Sequence, residues 1–410
     1  MQLRRVVVTG IGAVSPFGCG FERLTEGLLT GRSAVAYCSA LESVGGLRSQ
    51  IAALVPTLDA KAIPRKFRRS MSAMSIYATL AGQEALTHAR LDDAACQDGR
   101  TGVVIGSTVG STLTTEEFFT DYLADHSLER MKSTLFFHIM NHSCASNVAQ
   151  ALDIRGRLLA PSAACSTGCQ AIGYGFEMIA FGKQDRMLCG GADEFHPLTV
   201  ATFDVMHAAS INFNATPTQT PRPFDRDRDG VVCAEGSGIL LLEELELAKV
   251  RGAKILAEIV GFATLTDSSN IANPNPAAMT ECMRLALADA GLEAAAVDYV
   301  NAHATATEQG DIAEAQAIHE LFGARVPVSS FKGHMGHAMA ASGSLELAGA
   351  VGAMQRGLIA PTLNLEHIDP ACAQLDHVRQ PRETQVNVMV KNNFALGGVN
   401  SSIVLRRYPA

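Results

Sequence analysis

A strand-forming phrase near the start of the chain recurs in its second half, and this recurrence constrains the fold more than any other feature. Residues 5–16 read Arg-Val-Val-Val-Thr-Gly-Ile-Gly-Ala-Val-Ser-Pro, and residues 256–267 read Leu-Ala-Glu-Ile-Val-Gly-Phe-Ala-Thr-Leu-Thr-Asp. Both phrases favour strands, contain glycine and end at turn-forming residues. We therefore predict a duplicated core, with chance echoes between unrelated segments as the alternative.

The segments that follow each phrase repeat the same order of strands and helices. The paired segments are 102–107 with 297–303 and 238–243 with 402–406 for strands, and 71–88 with 277–290 for helices. This alternation is typical of an α/β protein. Because a charged stretch at 243–254 predicts the junction, we divide the 410 residues into halves 1–250 and 251–410.

Composition limits the partners that the chain can bind. The sequence has 33 Lys+Arg against 41 Asp+Glu, and its net charge of −8 is unfavourable for nucleic acid. No uninterrupted apolar stretch approaches the roughly 20 residues that a membrane-spanning helix needs. The ten cysteines are scattered without a CxxC pair, so we expect reduced thiols in the cytoplasm and no metal site.

Cys165 is the strongest candidate nucleophile. It stands in Ala163-Ala-Cys-Ser-Thr-Gly168, directly before a predicted helix that runs to Ile179. The positive end of a helix dipole favours a thiolate, so we predict a lowered pKa for the Cys165 thiol. A buried structural cysteine is the alternative. Cys169 could share a helix face with Cys165 but lacks the turn.

Two loops of the second half carry histidines. His303 ends a predicted strand and is followed by small and hydroxyl residues, a placement typical of active-site loops in open α/β sheets. Two imidazoles beside a thiolate suit thioester chemistry, because they can donate hydrogen bonds to a developing enolate oxygen. Each histidine alone could equally be a hydrogen-bonded structural residue. A Gly-rich segment before a small-residue helix adds further candidates: Lys332, His334, His337 and Glu346.

Ordered motifs along the whole chain carry a family resemblance. They are Val8-Thr-Gly-Ile-Gly, Ala164-Cys-Ser-Thr-Gly, Arg222-Pro-Phe-Asp, Asn301-Ala-His, Lys332 through His337, and Asn393-Phe through Gly397-Gly-Val-Asn400. Together they resemble the elongating β-ketoacyl-[acyl-carrier-protein] synthases. The resemblance implies an α/β, thiolase-like fold, with duplicated βαβαβαββ halves packed as five α-β-α-β-α layers. It also implies decarboxylative Claisen condensation of a Cys-bound acyl chain with malonyl-carrier protein, in fatty-acid or related polyketide and polyene elongation.

The resemblance assigns roles to individual residues. The implied catalytic triad and its supporting pair are Cys165, His303, His337, Lys332 and Glu346. A histidine at 337 argues against initiating synthases, which use Cys-His-Asn. The backbone amides of Cys165 and Phe394 would form the oxyanion hole, and Phe394 would also gate the pocket. No cofactor is implied, because phosphopantetheine arrives on the carrier protein.

Pocket residues are implied in the same way. Thr305 and Thr307 would hydrogen-bond the phosphopantetheine arm, while Val109 and Phe203 would line the acyl channel. His334 has no family counterpart, so we expect a solvated turn residue.

The sequence departs from the family at two motifs. The usual His-Gly-Thr-Ser-Thr is His-Ala-Thr-Ala-Thr at 303–307, and the usual Phe-Gly-Phe-Gly-Gly is Phe-Ala-Leu-Gly-Gly at 394–398. These departures leave the triad intact and the acyl-chain preference open.

Two surfaces predict protein partners. The carrier protein is acidic, so a net negative synthase needs a local cationic patch to bind it, although a solvated charged face is the alternative. The resemblance further implies a homodimer, and the apolar insertion that includes Phe119 and Phe136 fits a core or dimer contact better than a ligand site. The candidate cations of the patch that would bind the acidic carrier protein are Lys61, Arg65, Lys66, Arg68 and Arg69.

Two other functions fit the fold less well. A non-catalytic chain-length factor pairs with an active synthase but typically lacks the nucleophile, whereas Cys165 is retained. A coenzyme A-dependent thiolase normally has a second catalytic cysteine in a Gly-rich loop. Cys282 and Cys372 lie outside such loops.

Overall fold

The strands of the two halves occupy matching positions in one long sheet of the computed structural model, which describes residues 3–409. The predicted halves 1–250 and 251–410 include Met1, Gln2 and Ala410, which lie outside the described residues. The strands are β1 (Val6–Ser15), β2 (Gly18–Cys19), β3 (Ala36–Tyr37), β4 (Ile51–Ala52), β5 (Thr101–Gly106), β6 (Leu158–Leu159), β7 (Arg186–Asp193), β8 (Gly236–Glu244), β9 (Ala257–Thr266), β10 (Tyr299–Asn301), β11 (Pro327–Ser329), β12 (Leu358–Ile359), β13 (Asp376–His377), β14 (Arg382–Glu383), β15 (Val388–Ala395) and β16 (Val399–Arg406).

Helices fill the connections between these strands. They are α1 (Phe21–Leu29), α2 (Arg65–Arg68), α3 (Ala73–Ala89), α4 (Asp93–Gln97), α5 (Thr112–Leu123), α6 (Ser133–Ile139), α7 (Ser143–Ala151), α8 (Thr167–Ala180), α9 (Pro197–Val205), α10 (Leu245–Val250), α11 (Pro276–Asp289), α12 (Glu308–Phe322), α13 (Lys332–Met335) and α14 (Ser342–Gln355). Two short 3₁₀ turns, Ala164–Ser166 and Met339–Ala341, lead directly into α8 and α14. Within residues 3–409 no helix has the length and apolar character needed to cross a bilayer.

The order and direction of the strands confirm the predicted duplication. The N-terminal half runs β1-β8-β7-β5-β6 along the sheet, and the C-terminal half runs β9-β16-β15-β10-β11. In both runs the first two pairings are antiparallel and the last two are parallel. The halves join where Val6–Val8 of β1 pair with Ala257–Ile259 of β9. Chance echoes would not reproduce both position and direction.

Alternation along the strands produces the predicted five layers. Leu240 and Leu242 of β8 pack with α8 and α14, whereas Ile239 and Leu241 point to the other face, against α3 and α7. In β16, Ile403 faces the same middle core, while the opposite face of the C-terminal strands packs on α11 and α12. Helices α8 and α14 therefore lie between the two half-sheets, where they are buried on both sides.

Small residues let the middle layer pack closely. A Cβ atom at Gly168 would lie 2.6 Å from the carbonyl oxygen of Ala340, and one at Gly191 would lie 2.0 Å from the same atom. Only glycine fits at such distances. This contact brings the start of α8 against the segment that follows His337.

Candidate active site

A strained turn presents the sulfur of Cys165. Ala164 has a φ of +46°, in the left-handed region that costs an L-residue roughly 1–2 kcal/mol. The hydroxyl of Ser166 donates to the carbonyl oxygens of Asn393 at 2.9 Å and Val399 at 2.8 Å, which ties the turn to β15 and β16. The turn thereby holds Cys165 between the two half-sheets, with only 8% of the residue exposed.

Both predicted histidines lie beside this sulfur. His337 Nε2 is 2.9 Å from Cys165 Sγ. The rings of His303 and His337 are 5.2 Å apart between centroids and nearly perpendicular, at 82°. The sulfur of Cys165 and one ring nitrogen from each of the two histidines all lie within 4.8 Å of one another. The structure therefore brings together three residues that are distant in sequence.

Hydrogen bonds fix the ring of His303 and its tautomer. The backbone amides of His303 and Ala304 donate to the Glu314 carboxylate at 2.9 and 2.7 Å, which holds the loop after β10. Asn393 Nδ2 lies 3.2 Å from His303 Nδ1, and Lys332 Nζ lies 3.5 Å from it. Because both neighbours are donors, Nδ1 accepts, and the proton of the neutral ring is on Nε2.

A buried charge cluster lies behind the histidines. Lys332 is ion-paired with Glu346 and also donates to the carbonyl oxygen of His303 at 2.9 Å. The second oxygen of Glu346 is 2.7 Å from the ammonium group of Lys391. All three side chains are fully buried. The predicted supporting pair is therefore in contact, and it has an additional cation that the sequence analysis missed.

The predicted lowering of the Cys165 pKa is wrong. Burial raises the pKa of this thiol to about 11, although Lys332 and the backbone amides of Cys165 and Leu396 oppose the shift. Burial, together with the charge of Lys332, holds the pKa values of His303 and His337 far below their usual range. At neutral pH the sulfur is therefore protonated and both imidazoles are neutral, so the thiol must lose its proton as it reacts.

The sulfur and both imidazoles open into a cavity of about 540 Å³. Its wall includes Phe203, Thr305 and Thr307, and the hydroxyl oxygens of the two threonines are 3.0 Å apart. A volume of this size suits a small-molecule ligand or a prosthetic arm. Val109, by contrast, does not line this cavity. It lies on the surface between β5 and α5, with 59% of the residue exposed.

Phe394, the predicted gate, is among the residues that line the cavity. Phe394 lies within β15, opposite Asn400, and its side chain is buried against α11 and α12. Leu396 follows in the turn, borders the cavity and is 47% exposed. Its amide, rather than the predicted Phe394 amide, is among the groups that lower the pKa of Cys165. Strand β15 runs through Ala395, so the turn begins after that residue.

His334 is not solvated, contrary to the sequence expectation. It is completely buried, and its Nε2 lies 2.8 Å from the carbonyl oxygen of Pro361. Its segment passes through the protein interior, where a histidine needs such a partner.

Sequence reasoning also missed the polar residues Lys391 and Asn393 of β15. Asn393 Nδ2 contacts the carbonyl oxygen of Cys165 at 3.1 Å as well as the His303 ring. The signal was present, because polar Lys-Asn-Asn directly follows the apolar Val388-Met-Val390. Polar residues at such positions need partners in the interior.

The predicted docking cations lie together on the surface, before, within and directly after α2. Arg68 is half-buried, and its Nε donates to the carbonyl oxygen of Ile63 at 2.9 Å. The exposed members are Lys61, Arg65, Lys66 and Arg69.

A thiolase-like fold with a buried cysteine beside two histidines defines the class of condensing acyltransferases. The chain belongs to the β-ketoacyl synthase family, whose N-terminal and C-terminal domain models match residues 3–248 and 256–366. It is 34% identical to 3-oxoacyl-[acyl-carrier-protein] synthase 1 of Escherichia coli, over 99% of both chains.

Solved structures agree with this assignment. The crystal structure of a β-ketoacyl synthase from Burkholderia phymatum is 43% identical and superposes with a TM-score of 0.96, covering 99% of this chain and 100% of that one. A type II polyketide ketosynthase, solved in complex with its acyl-carrier protein and bound to the hexaketide, is 29% identical with a TM-score of 0.91 over 100% of both chains. The chain is thus an acyltransferase of carrier-protein-dependent chain elongation, in fatty-acid or polyketide synthesis.

Proposed function

We propose that Cys165, His303 and His337 carry out the decarboxylative condensation by which this synthase extends an acyl chain. The observation that carries the proposal is the 2.9 Å contact between Cys165 Sγ and His337 Nε2. The neutral ring of His303 lies beside this pair. A nucleophile, a proton acceptor and a hydrogen-bond donor thus meet at one cavity.

In the first half-reaction, Cys165 takes the acyl chain from its carrier protein. The sulfur attacks the thioester carbonyl, a new C–S bond forms, and the bond to the phosphopantetheine sulfur breaks. The proton of the Cys165 thiol passes to the departing thiol, and His337 Nε2 is placed to relay it. The amides of Cys165 and Leu396, which favour a negative charge at the sulfur, are the candidate donors to the tetrahedral oxyanion.

In the second half-reaction, malonyl-carrier protein loses its carboxylate as CO₂, and the electron pair remains as an enolate. The Nε2 proton of His303 is suited to donate a hydrogen bond to the enolate oxygen, and the neutral His337 can donate a second one in the tautomer that carries its proton on Nε2, because both rings stay uncharged. The enolate carbon attacks the acyl carbonyl, the C–C bond forms and the C–S bond to Cys165 breaks. The released thiolate takes one proton from solvent.

The phosphopantetheine arm reaches the sulfur through the cavity, where Thr305 and Thr307 are the candidate partners for its amides. We infer that the synthase uses no cofactor or metal of its own. Cys165, His303 and His337 are close enough to share an ion. However, the two buried lysines behind them oppose a divalent cation and favour an anionic intermediate.

An acidic carrier protein is the proposed partner of the α2 patch. The exposed cations of this patch, including Arg65 and Arg69, give a chain of net negative charge a local positive surface.

We further propose a homodimer. Support comes from the exposed apolar residues of α5, α6 and their connection, since Phe119, Leu123, Leu128 and Phe136 are each at least half exposed. Val109, exposed next to α5, would then reach an acyl channel only at such an interface.

The cytoplasm is the proposed compartment, because all ten cysteines are free thiols. The proposed division between halves 1–250 and 251–410 is supported by its position between the ranges of the two family domains.

One assay tests this function. The purified chain is incubated first with acyl-carrier protein and then with malonyl-carrier protein, and mass spectrometry follows the protein and the products. We expect an acyl adduct on Cys165 and then the 3-oxoacyl product with one CO₂. A chain-length factor would form neither, and a thiolase would condense coenzyme A thioesters without loss of CO₂.

A further inference from the structure

We propose that Lys391 is a positioning residue of the active site, which acts through Glu346 to give the cluster of Lys332, Glu346 and Lys391 a net positive charge behind Cys165 and the two histidines. This inference deepens the proposed function and rests on the same site.

The contacts of Glu346 carry the argument. Its two carboxylate oxygens face different ammonium groups, those of Lys332 and Lys391. The three residues come from α13, α14 and β15, and each is fully buried. Lys391 also donates to the carbonyl oxygen of Asn392 at 2.6 Å, whereas its contact with Glu346 is an ion pair without hydrogen-bond alignment.

The charge balance of this cluster depends on Lys391. Lys332 and Glu346 alone would form a neutral pair, which would offer little net attraction to a thiolate or an enolate. With Lys391 the cluster has two cations and one anion, hence a net charge of +1 in an interior where charges are weakly screened. The field reaches both histidines, because Lys391 contributes to the lowered pKa values of His303 and His337.

Other ionisable groups face the same site. Asp193 contributes to the raised pKa of Cys165, and Lys391 opposes the burial that raises the pKa values of Glu314 and Cys169. Backbone amides hold both carboxylates: Asp193 accepts from Ala340 at 2.8 Å, and Glu314 from the loop after β10. Cys233 lies near the sulfur, and its pKa is raised in part by Cys165. None of these groups is altered in the test below.

The test varies the charge of the cluster while leaving Lys332 in place. Lys391→Met makes it neutral, Glu346→Gln makes it +2, and the double variant Lys391→Met/Glu346→Gln restores +1. The readout is the rate of Cys165 alkylation by iodoacetamide at about pH 8, below the pKa of the thiol, resolved from the other cysteines by peptide mass. Alkylation needs no carrier protein, so it is independent of condensation.

We expect Lys391→Met to slow alkylation about tenfold, the effect of about one pKa unit on the thiolate fraction. The double variant should return to within about twofold of the unmodified protein, and Glu346→Gln should be faster than it. Removing an exposed cation by Lys183→Met should leave the rate unchanged.

A double variant as slow as Lys391→Met, or slower, would overturn the proposal, because restoring the net charge of the cluster should restore the thiolate fraction. Circular dichroism and thermal unfolding establish that each variant is folded. If the Lys391→Met protein does not fold, Lys391→Gln takes its place in both the single and the double variant, because glutamine is also neutral and keeps a donor for the carbonyl oxygen of Asn392. Loss of condensation by the unmodified protein would instead refute the proposed function and leave the order of alkylation rates intact.

Discussion

The sulfur of Cys165 lies 2.9 Å from Nε2 of His337, although 172 residues separate them in the chain. The cysteine begins a helix of the first half, and the histidine precedes a helix of the second. The contact therefore exists only when the two half-sheets enclose α8 and α14. Folding of the middle layer and assembly of the nucleophile are the same event.

Cys165→Ala should abolish acyl loading, because no other thiol lies in the strained turn. Intact-mass measurement after incubation with acyl-carrier protein would show an unmodified chain. The matched control is Cys169→Ala, which removes a buried thiol from the same helix and should retain the adduct. An adduct on the Cys165→Ala protein would mean that the nucleophile lies elsewhere.

The alkylation of Cys165 should rise with pH. Because burial raises the pKa of the thiol to about 11, the thiolate fraction at neutral pH is small. It should grow about tenfold for each unit of pH below that value. Iodoacetamide rates measured from neutral to alkaline pH would check this slope. A plateau near neutrality would show that the thiolate is already formed and contradict the burial argument.

His303→Ala and His337→Ala should each slow malonyl decarboxylation by about a hundredfold or more, since each removes a polar group beside the enolate. Release of CO₂ from malonyl-carrier protein is the measurement. His319→Ala, in an exposed position of α12, is the control and should keep the full rate. If either active-site variant matched the control, that histidine would have no role in the step.

Reversing charges in the α2 patch should weaken carrier-protein binding. Arg65→Glu with Arg69→Glu is expected to raise the Kd at least about tenfold and to reduce its dependence on salt. The control, Lys183→Glu with Lys254→Glu, makes the same change of net charge at exposed sites elsewhere. Equal effects of the two pairs would indicate general repulsion rather than a docking surface.

Phe394 and Leu396 should respond differently to truncation. Phe394→Ala removes a buried ring and should lower the free energy of unfolding by about 3–5 kcal/mol, measured by urea titration. Leu396→Ala, in the exposed turn, should change this free energy by less than about 1 kcal/mol but alter the KM for acyl-carrier protein. A stable Phe394→Ala protein with an altered KM would instead indicate that Phe394 is the residue that gates the pocket.

Much of the fold could be predicted because the apolar pattern of a strand reflects how it is buried in the sheet. The phrases at 5–16 and 256–267 became β1 and β9, and their recurrence predicted two half-sheets with the same strand order. The proximity of Cys165, His303 and His337 followed from motifs at strand and helix ends. Such ends converge in an α/β protein, whatever the length of chain between them.

The rest depended on burial, which a motif does not specify. The pKa of Cys165 was predicted from its position at a helix start alone, yet the desolvation of the buried thiol outweighs the effect of the helix dipole. His334 was expected in solvent because it has no family counterpart, but its segment crosses the interior. The glycine-rich motif did not reveal that Ala395 belongs to β15 and that Leu396 lies in the turn beside the cavity.

The duplication extends to the strained turn itself. Met339 has a φ of +48°, close to the +46° of Ala164, and both residues open a 3₁₀ turn that leads into a middle helix. Ala340 therefore occupies in one repeat the place that Cys165 occupies in the other. The chain therefore contains a second copy of the turn that carries its nucleophile, in which Ala340 packs its carbonyl oxygen against Gly168 and Gly191 and donates its amide to Asp193. The turn of the first half thus carries the reacting cysteine, and the corresponding turn of the second half packs against it and supports it.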